Sequence, residues 1–75
     1  MKIKILGSGC KKCKKLYQNS ILAASKKGIE IDIVKVTDFL EIAKYNVMQT
    51  PALVIDETIM SKGKVLTVDE IVELL

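Results

Sequence analysis

The chain has 75 residues, of which 49% are hydrophobic, with 12 lysines, nine acids and no arginine or histidine. This length allows one domain over residues 1–75, and no apolar stretch approaches the roughly 20 residues of a membrane helix, so we expect a soluble, cytoplasmic protein without a membrane partner. Positive charge carried by lysine alone, with three aromatic residues in all, argues against nucleic-acid recognition, which favours arginine and stacking aromatics.

The charges are unevenly distributed along the chain. Residues 1–29 contain eight lysines and no acid, whereas residues 30–75 contain four lysines and all nine acids. We interpret Lys14, Lys15 and the pair Lys26-Lys27 as a solvated face of the first helix.

The first half of the chain is predicted to form a βαβ unit. Lys2 to Leu6 alternates polar and apolar side chains, as a strand does, and Gly7-Ser8-Gly9 permits a tight turn after it. A helical stripe then runs to near Gly28, and its members are Cys13, Leu16, Tyr17, Ile21 and Ala24. The block Ile29 to Val36 alternates again and predicts a second strand, with Ile29, Ile31 and Ile33 facing inward and Lys35 among the outward residues.

A second, shorter helix is predicted after this strand. Asp38 and Glu41 have the spacing of a capping box, and Phe39, Ile42 and Ala43 supply an apolar face. Asn46 is expected to end the helix in a left-handed conformation.

A strand pair and a final helix complete the predicted order βαβαββα, an α/β domain with a four-stranded mixed sheet and three helices. Ala52 to Ile55 is predicted to be a buried strand, followed by a turn at Asp56-Glu57 and an antiparallel edge strand from Thr58 to Ser61. Thr67 with Glu70 forms a second capping-box pattern, with Leu66 and Ile71 as a hydrophobic staple, which predicts a helix from Val68 to Leu75.

Cys10 and Cys13 are the candidate catalytic residues. Two intervening residues at the start of a helix bring the sulfurs to one side of the first turn, which suits reversible disulfide formation. The helix terminus and the adjacent lysines favour a thiolate at Cys10. We therefore expect Cys10 to attack a substrate disulfide and Cys13, on the buried stripe, to resolve the mixed disulfide.

The same two thiols also allow a different function. Thiolates select soft metals such as copper(I), and a small carrier could use Cys10 and Cys13 in this way. A closed zinc site requires four ligands. One chain has two cysteines and no histidine and could complete the set only with carboxylates, so zinc would require a dimer. Topology argues against a carrier, because ferredoxin-like metallochaperones run βαββαβ and end in a strand. We expect no metal ligand set and no cofactor.

Two motifs together resemble a known family. The run Gly-Ser-Gly-Cys-Lys-Lys-Cys after the first strand, and Tyr-Asn-Val-Met-Gln-Thr-Pro-Ala-Leu-Val-Ile before the strand pair, resemble the small redox-active disulfide proteins of the thioredoxin/glutaredoxin superfamily. The resemblance covers nearly the whole chain and implies a thioredoxin-like fold. It also implies a cis peptide before Pro51 facing the disulfide, with the backbone of Thr50 pairing with an extended substrate.

The sequence departs from thioredoxins at three places. Gly9 stands where thioredoxins have tryptophan, and Lys11-Lys12 replaces Gly-Pro between the cysteines. Lys4 occupies the position, six residues before the first cysteine, of the buried acid that assists proton transfer in thioredoxins.

The function predicted from these observations is thiol-disulfide oxidoreduction. The expected partners are disulfide-containing proteins and an electron donor that is either a thioredoxin-reductase-like enzyme or a dithiol, and we expect a monomer. A redox-sensing or docking module that uses the same disulfide fits the sequence equally well.

Overall fold

Residues 1–9 and 11–75 are described by a computed structural model, in which the elements follow in the predicted order βαβαββα. Their bounds are β1 (Lys2–Leu6), α1 (Lys11–Lys27), β2 (Asp32–Val36), α2 (Phe39–Lys44), β3 (Ala52–Ile55), β4 (Thr58–Lys62) and α3 (Val68–Leu74). Within these described residues the longest helix is α1, and no helix is both long and apolar enough to cross a membrane.

The strands form one mixed sheet in the order β2-β1-β3-β4. β1 pairs in parallel with β2 and antiparallel with β3, and β3 pairs antiparallel with β4. β3 is an inner strand between β1 and β4, and all four of its residues are buried. The predicted four-stranded mixed sheet is therefore confirmed.

Helices cover both faces of the sheet. On one face, α1 and α3 enclose a core of buried residues: Ile3, Ile5, Leu16, Ala23, Leu53, Ile55, Leu66 and Ile71. On the other face, α2 and the loop after it cover a smaller core: Leu6, Ile42, Val47, Ala52 and Val54. β1 contributes alternate residues to the two cores, because successive side chains of a strand point to opposite faces.

The buried side of α1 differs from the predicted stripe. Ile21 is 42% exposed, whereas Asn19 and Ser20 are buried. The Asn19 side-chain amide donates to the carbonyl of Leu66 at 2.9 Å, and the Ser20 hydroxyl donates to the carbonyl of Leu16 at 2.8 Å. Both polar groups can be buried because each has a partner, and the predicted inward position of Ile21 is therefore wrong.

β2 starts later than predicted. Gly28 adopts a φ of 72° and ends α1, and the amide of Ile29 donates to the carbonyl of Ala24 at 3.1 Å. The strand begins only at Asp32, which pairs with Lys2 at the start of β1. The amide of Asp32 donates to the carbonyl of Met1 at 2.9 Å, and residues 29–31 lie before the part of β2 that is paired with β1.

α2 has the predicted position, and its predicted apolar face is confirmed at Ile42 but wrong at Phe39 and Ala43. Phe39 is 80% exposed and Ala43 is exposed, which leaves Ile42 as the buried residue of the helix. Asp38 caps the helix by accepting from the amide of Leu40 at 2.8 Å, while the Glu41 carboxylate accepts from Lys44.

The turns and the last helix follow the prediction closely. Asn46 has a φ of 56°, the expected left-handed conformation, and Asp56 and Glu57 form the β3–β4 turn with φ values of 47° and 69°. Thr67 and Glu70 form a complete capping box at the start of α3. The chain therefore ends in a helix after β4, as predicted.

Candidate active site

Cys13 lies in the first turn of α1 and is 5% exposed. The prediction that it sits on the buried side of this helix is confirmed. Cys10, its predicted partner, lies outside the described residues, so its predicted attack on a disulfide stays a prediction. Lys11 and Lys12, the two residues between the cysteines, are exposed.

Gly7 packs directly against Cys13 at the end of β1. A Cβ on Gly7 would overlap the sulfur of Cys13 and would lie 3.4 Å from its Cβ. The backbone of Gly7 is fixed by its amide, which donates to the carbonyl of Val36 at 3.0 Å. Glycine at this position is therefore required for space, since it lets the strand approach the cysteine closely.

Pro51, just before β3, also lies next to Gly7. The Thr50-Pro51 peptide is cis, as the family resemblance implies, and Pro51 is fully buried while Thr50 is exposed. The Cα of Pro51 would lie 3.8 Å from a Cβ on Gly7, and its carbonyl accepts from the amide of Gly63 at 2.9 Å. Cys13 and Pro51 thus both border Gly7. Thr50 is exposed, and its pairing with substrate stays a prediction.

A small cavity of about 40 Å³ lies beside Cys13. Its lining comes from the β1 end, the first turn of α1 and the β2 end, and comprises Ile5, Gly7, Gly9, Cys13, Lys14, Lys35 and Thr37. The surroundings of Cys13 are therefore apolar on the strand side and cationic at the edge.

Lys35 is a site residue that the sequence analysis missed, because it was assigned an outward position. It pairs with Ile5 across β1 and β2, and Ile5 belongs to the core beneath α1. Its Nζ lies 4.5 Å from the ring centroid of Tyr17 on α1, a cation–π contact. The parity of the strand contained the signal, since Lys35 is two residues from Ile33 and so shares its face.

Lys4 does not face Cys13. Its Nζ donates to the hydroxyl of Tyr45 and to the carboxylate of Glu57, each at 2.6 Å, and the Tyr45 hydroxyl donates to the second Glu57 oxygen at 3.1 Å. The hydrogen bond to Glu57, and then that to Tyr45, raises the pKa of Lys4, and the same bond with Lys4 lowers the pKa of Glu57. Lys4 therefore joins the end of α2 to the β3–β4 turn.

Within residues 1–9 and 11–75, no three histidine, cysteine, aspartate or glutamate side chains are grouped so that they could hold a metal ion.

Comparison with known proteins identifies relatives along the whole length of the chain. A family model described as a thioredoxin domain matches residues 1–75. The chain is 45% identical over 71 residues to a protein named thioredoxin from Methanocaldococcus jannaschii, an alignment that covers 95% of this chain and 81% of the relative. It is 31% identical over 75 residues to a thioredoxin from Methanothermobacter thermautotrophicus, covering 100% of this chain and 97% of the relative. Together with the βαβαββα fold, these matches show that the chain is a small member of the thioredoxin superfamily of thiol-disulfide oxidoreductases.

Proposed function

We propose that the chain reduces protein disulfides, with Cys10 and Cys13 as its redox couple. The observation that carries the proposal is the packing of Cys13 in the first turn of α1 against Gly7, next to the cis peptide at Pro51. Cys13 is buried directly after the exposed residues Lys11 and Lys12. A buried cysteine is suited to resolving a mixed disulfide within its own chain, because solvent and other thiols reach it poorly.

The proposed reaction has two thiol-disulfide exchanges. The Cys10 thiolate attacks one sulfur of the substrate disulfide, which forms a mixed disulfide and releases one substrate thiolate. The Cys13 thiolate then attacks the Cys10 sulfur and releases the second substrate thiolate. The substrate gains two electrons and the chain becomes a Cys10–Cys13 disulfide. A dithiol or a thioredoxin-reductase-like enzyme then returns the two electrons.

Pro51 and Thr50 are proposed to hold the substrate during the first exchange. Pro51 is buried beside Gly7, whereas Thr50 is exposed just before β3. An extended substrate segment that pairs with the Thr50 backbone would bring its disulfide over the start of α1, and the main-chain bonds would not depend on substrate sequence.

Trapping of the mixed disulfide tests the assignment of the two cysteines. A Cys13→Ser protein mixed with a disulfide protein should accumulate a covalent adduct through Cys10 that a dithiol releases. The matched Cys10→Ser protein should form no comparable adduct, because its remaining cysteine is buried. Adduct formation by Cys10→Ser alone would reverse the assigned roles, and full reductase activity in either variant would refute the two-cysteine mechanism.

The soft-metal carrier that the sequence also allowed is less well supported. The chain ends with α3 after β4, unlike the βαββαβ order expected for small metallochaperones. Purified protein that carries stoichiometric copper or zinc and forms no disulfide in air would favour the carrier over the reductase.

A further inference from the structure

The first turns of α1 carry a concentration of exposed positive charge. Lys11, Lys12, Lys14 and Lys15 are all exposed, and Cys13 lies among them. No acid occurs in residues 1–29.

Three of the nine acids form ion pairs among the described residues, and none of these pairs involves a lysine of the first turns of α1. Ion pairs among the described residues join Lys4 to Glu57, Lys26 to Asp69 and Lys44 to Glu41. Each lies away from the first turns of α1, in the β3–β4 turn, at the far end of α1 or in α2. Lys11, Lys12, Lys14 and Lys15 are thus exposed and outside the ion pairs of the described residues.

A second element adds to this charge at the same place. Lys35 from β2 and Lys14 from α1 both line the small cavity that Cys13 borders. The Tyr17 ring holds the ammonium group of Lys35 on the α1 side of the sheet. We call the set of exposed lysines around Cys13 the basic rim, and it consists of Lys11, Lys12, Lys14, Lys15 and Lys35.

We infer that the basic rim docks acidic segments that flank the disulfide of a partner protein. This inference rests on the proposed reductase function and specifies its substrate class. The cavity of about 40 Å³ is far smaller than the roughly 300–1,000 Å³ of a small-molecule pocket, whereas the lysines of the rim are exposed. The proposed contacts are therefore with charges on the surface of a partner, around its disulfide. A protein partner fits better than a nucleic acid, because the rim has no arginine to bind phosphate in two-point fashion.

The basic rim is expected to act mainly on the rate at which an acidic partner associates with the protein. Clustered charge of one sign raises the association rate of an oppositely charged partner by about 10- to 1,000-fold, and this gain falls steeply with salt. The disulfide and the thiols then meet in an encounter complex that a neutral disulfide forms more slowly.

The test compares three disulfide peptides with the same central loop and with flanks of glutamate, serine or lysine. Reduced protein, freed of excess dithiol, is mixed with each peptide, and the second-order rate of peptide reduction is measured. We expect the acidic peptide to react at least about tenfold faster than the lysine peptide near 20 mM salt, and the difference to shrink to about twofold at 0.5 M salt, where screening is short-ranged.

Matched variants place the effect on the rim. The Lys14→Gln/Lys35→Gln protein should lower the ratio of the acidic to the neutral rate at least about threefold. Lys26→Gln/Lys27→Gln removes the same charge from the other end of α1 and should lower that ratio much less, because charge farther from Cys13 is screened more. If Lys35→Gln disturbs folding, Lys11→Gln/Lys14→Gln, on exposed positions of α1, should change the ratio in the same direction.

The possible failures are distinguishable. Equal rates for the three peptides, or an equal effect of the Lys26→Gln/Lys27→Gln control, would overturn the docking role while leaving the reductase intact. Failure to reduce any peptide would overturn the proposed function itself, and the docking role with it.

Discussion

Replacing Gly7 by alanine should separate the packing around Cys13 from the general stability of the fold. The added methyl group would overlap the Cys13 sulfur, while the nearest Pro51 atom, at 3.8 Å, leaves ordinary contact distance on that side. Over-packing of a closed site costs about 1–3 kcal/mol. In a domain of this size, each kcal/mol corresponds to a shift of about 4–8 °C in Tm.

Two measurements on the reduced protein check this prediction. Urea unfolding should give a lower free energy of unfolding for Gly7→Ala, and the single-turnover rate of disulfide reduction should fall about tenfold or more, because displacement of a reacting group by about 1 Å can cost roughly 100-fold. Gly28→Ala is the matched control. Gly28 has a φ of 72° and open space around its Cβ position, so alanine there should cost about 1–2 kcal/mol of backbone strain and leave the rate unchanged.

A double-mutant cycle identifies the clashing atom. In a Cys13→Ala background the sulfur is gone, and the remaining Cβ lies 3.4 Å from the new methyl group, so Gly7→Ala should then cost much less than in the parent. An equal cost in both backgrounds would show that Gly7 is constrained by something other than Cys13. If Gly7→Ala reduced the disulfide as fast as the parent protein, with Cys13 present in both, the link between this contact and the chemistry would be refuted.

Two further predictions concern the helices that support the site. Asn19→Ala leaves the buried carbonyl of Leu66 without its donor and should lower the free energy of unfolding by about 1–3 kcal/mol in urea, whereas Gln18→Ala on the exposed side should change it by less than about 0.5 kcal/mol. The backbone and hydroxyl of Thr67 hydrogen-bond to Glu70 and lower the pKa of its carboxyl, so its stabilising contribution is present above the unfolded-state pKa of about 4.3 and is lost as the pH falls through the folded-state value. The difference in unfolding midpoint between the parent protein and Glu70→Gln should therefore narrow on acidification, and a difference that stays constant down to pH 2 would contradict the role of the charged carboxylate.

Local signals predicted those parts of the fold that depend on neighbours in the sequence. The capping box of Thr67 and Glu70 needs only residues three apart, and the left-handed Asn46 needs only its own side chain and the end of a helix. β1 and β3 have the predicted bounds, since each is a short apolar or alternating block between turn residues. The cis peptide at Pro51 depends on tertiary surroundings, and it was expected only from the family resemblance.

Long-range packing decided the features that the sequence did not predict. The prediction of which side of α1 is buried was wrong at Ile21. The buried Asn19 donates instead to the carbonyl of Leu66, which is 47 residues away and directly before Thr67. The apolar side chain of Phe39 was expected to be buried, yet α2 has six residues and buries Ile42 alone. The position of Lys35 on the α1 face agrees with the two-residue period of β2 and with its register opposite Ile5, and the sequence analysis departed from that period when it assigned Lys35 outward.

Lys4 and Lys35 show how strand parity divides positive charge between stability and the candidate active site. Lys4 shares the α2 face with Leu6. There it donates to Tyr45 and to Glu57, and the Tyr45 hydroxyl donates to Glu57 in turn. Lys35 shares the opposite face with Ile5, where it meets the Tyr17 ring and the cavity beside Cys13. No carboxylate occurs among the described residues that line this cavity. The titratable side chains that line the cavity with Cys13 are, among the described residues, the two lysines Lys14 and Lys35. An acidic partner docked on the basic rim would therefore bring carboxylates next to a cluster of described side chains that carries only positive charge.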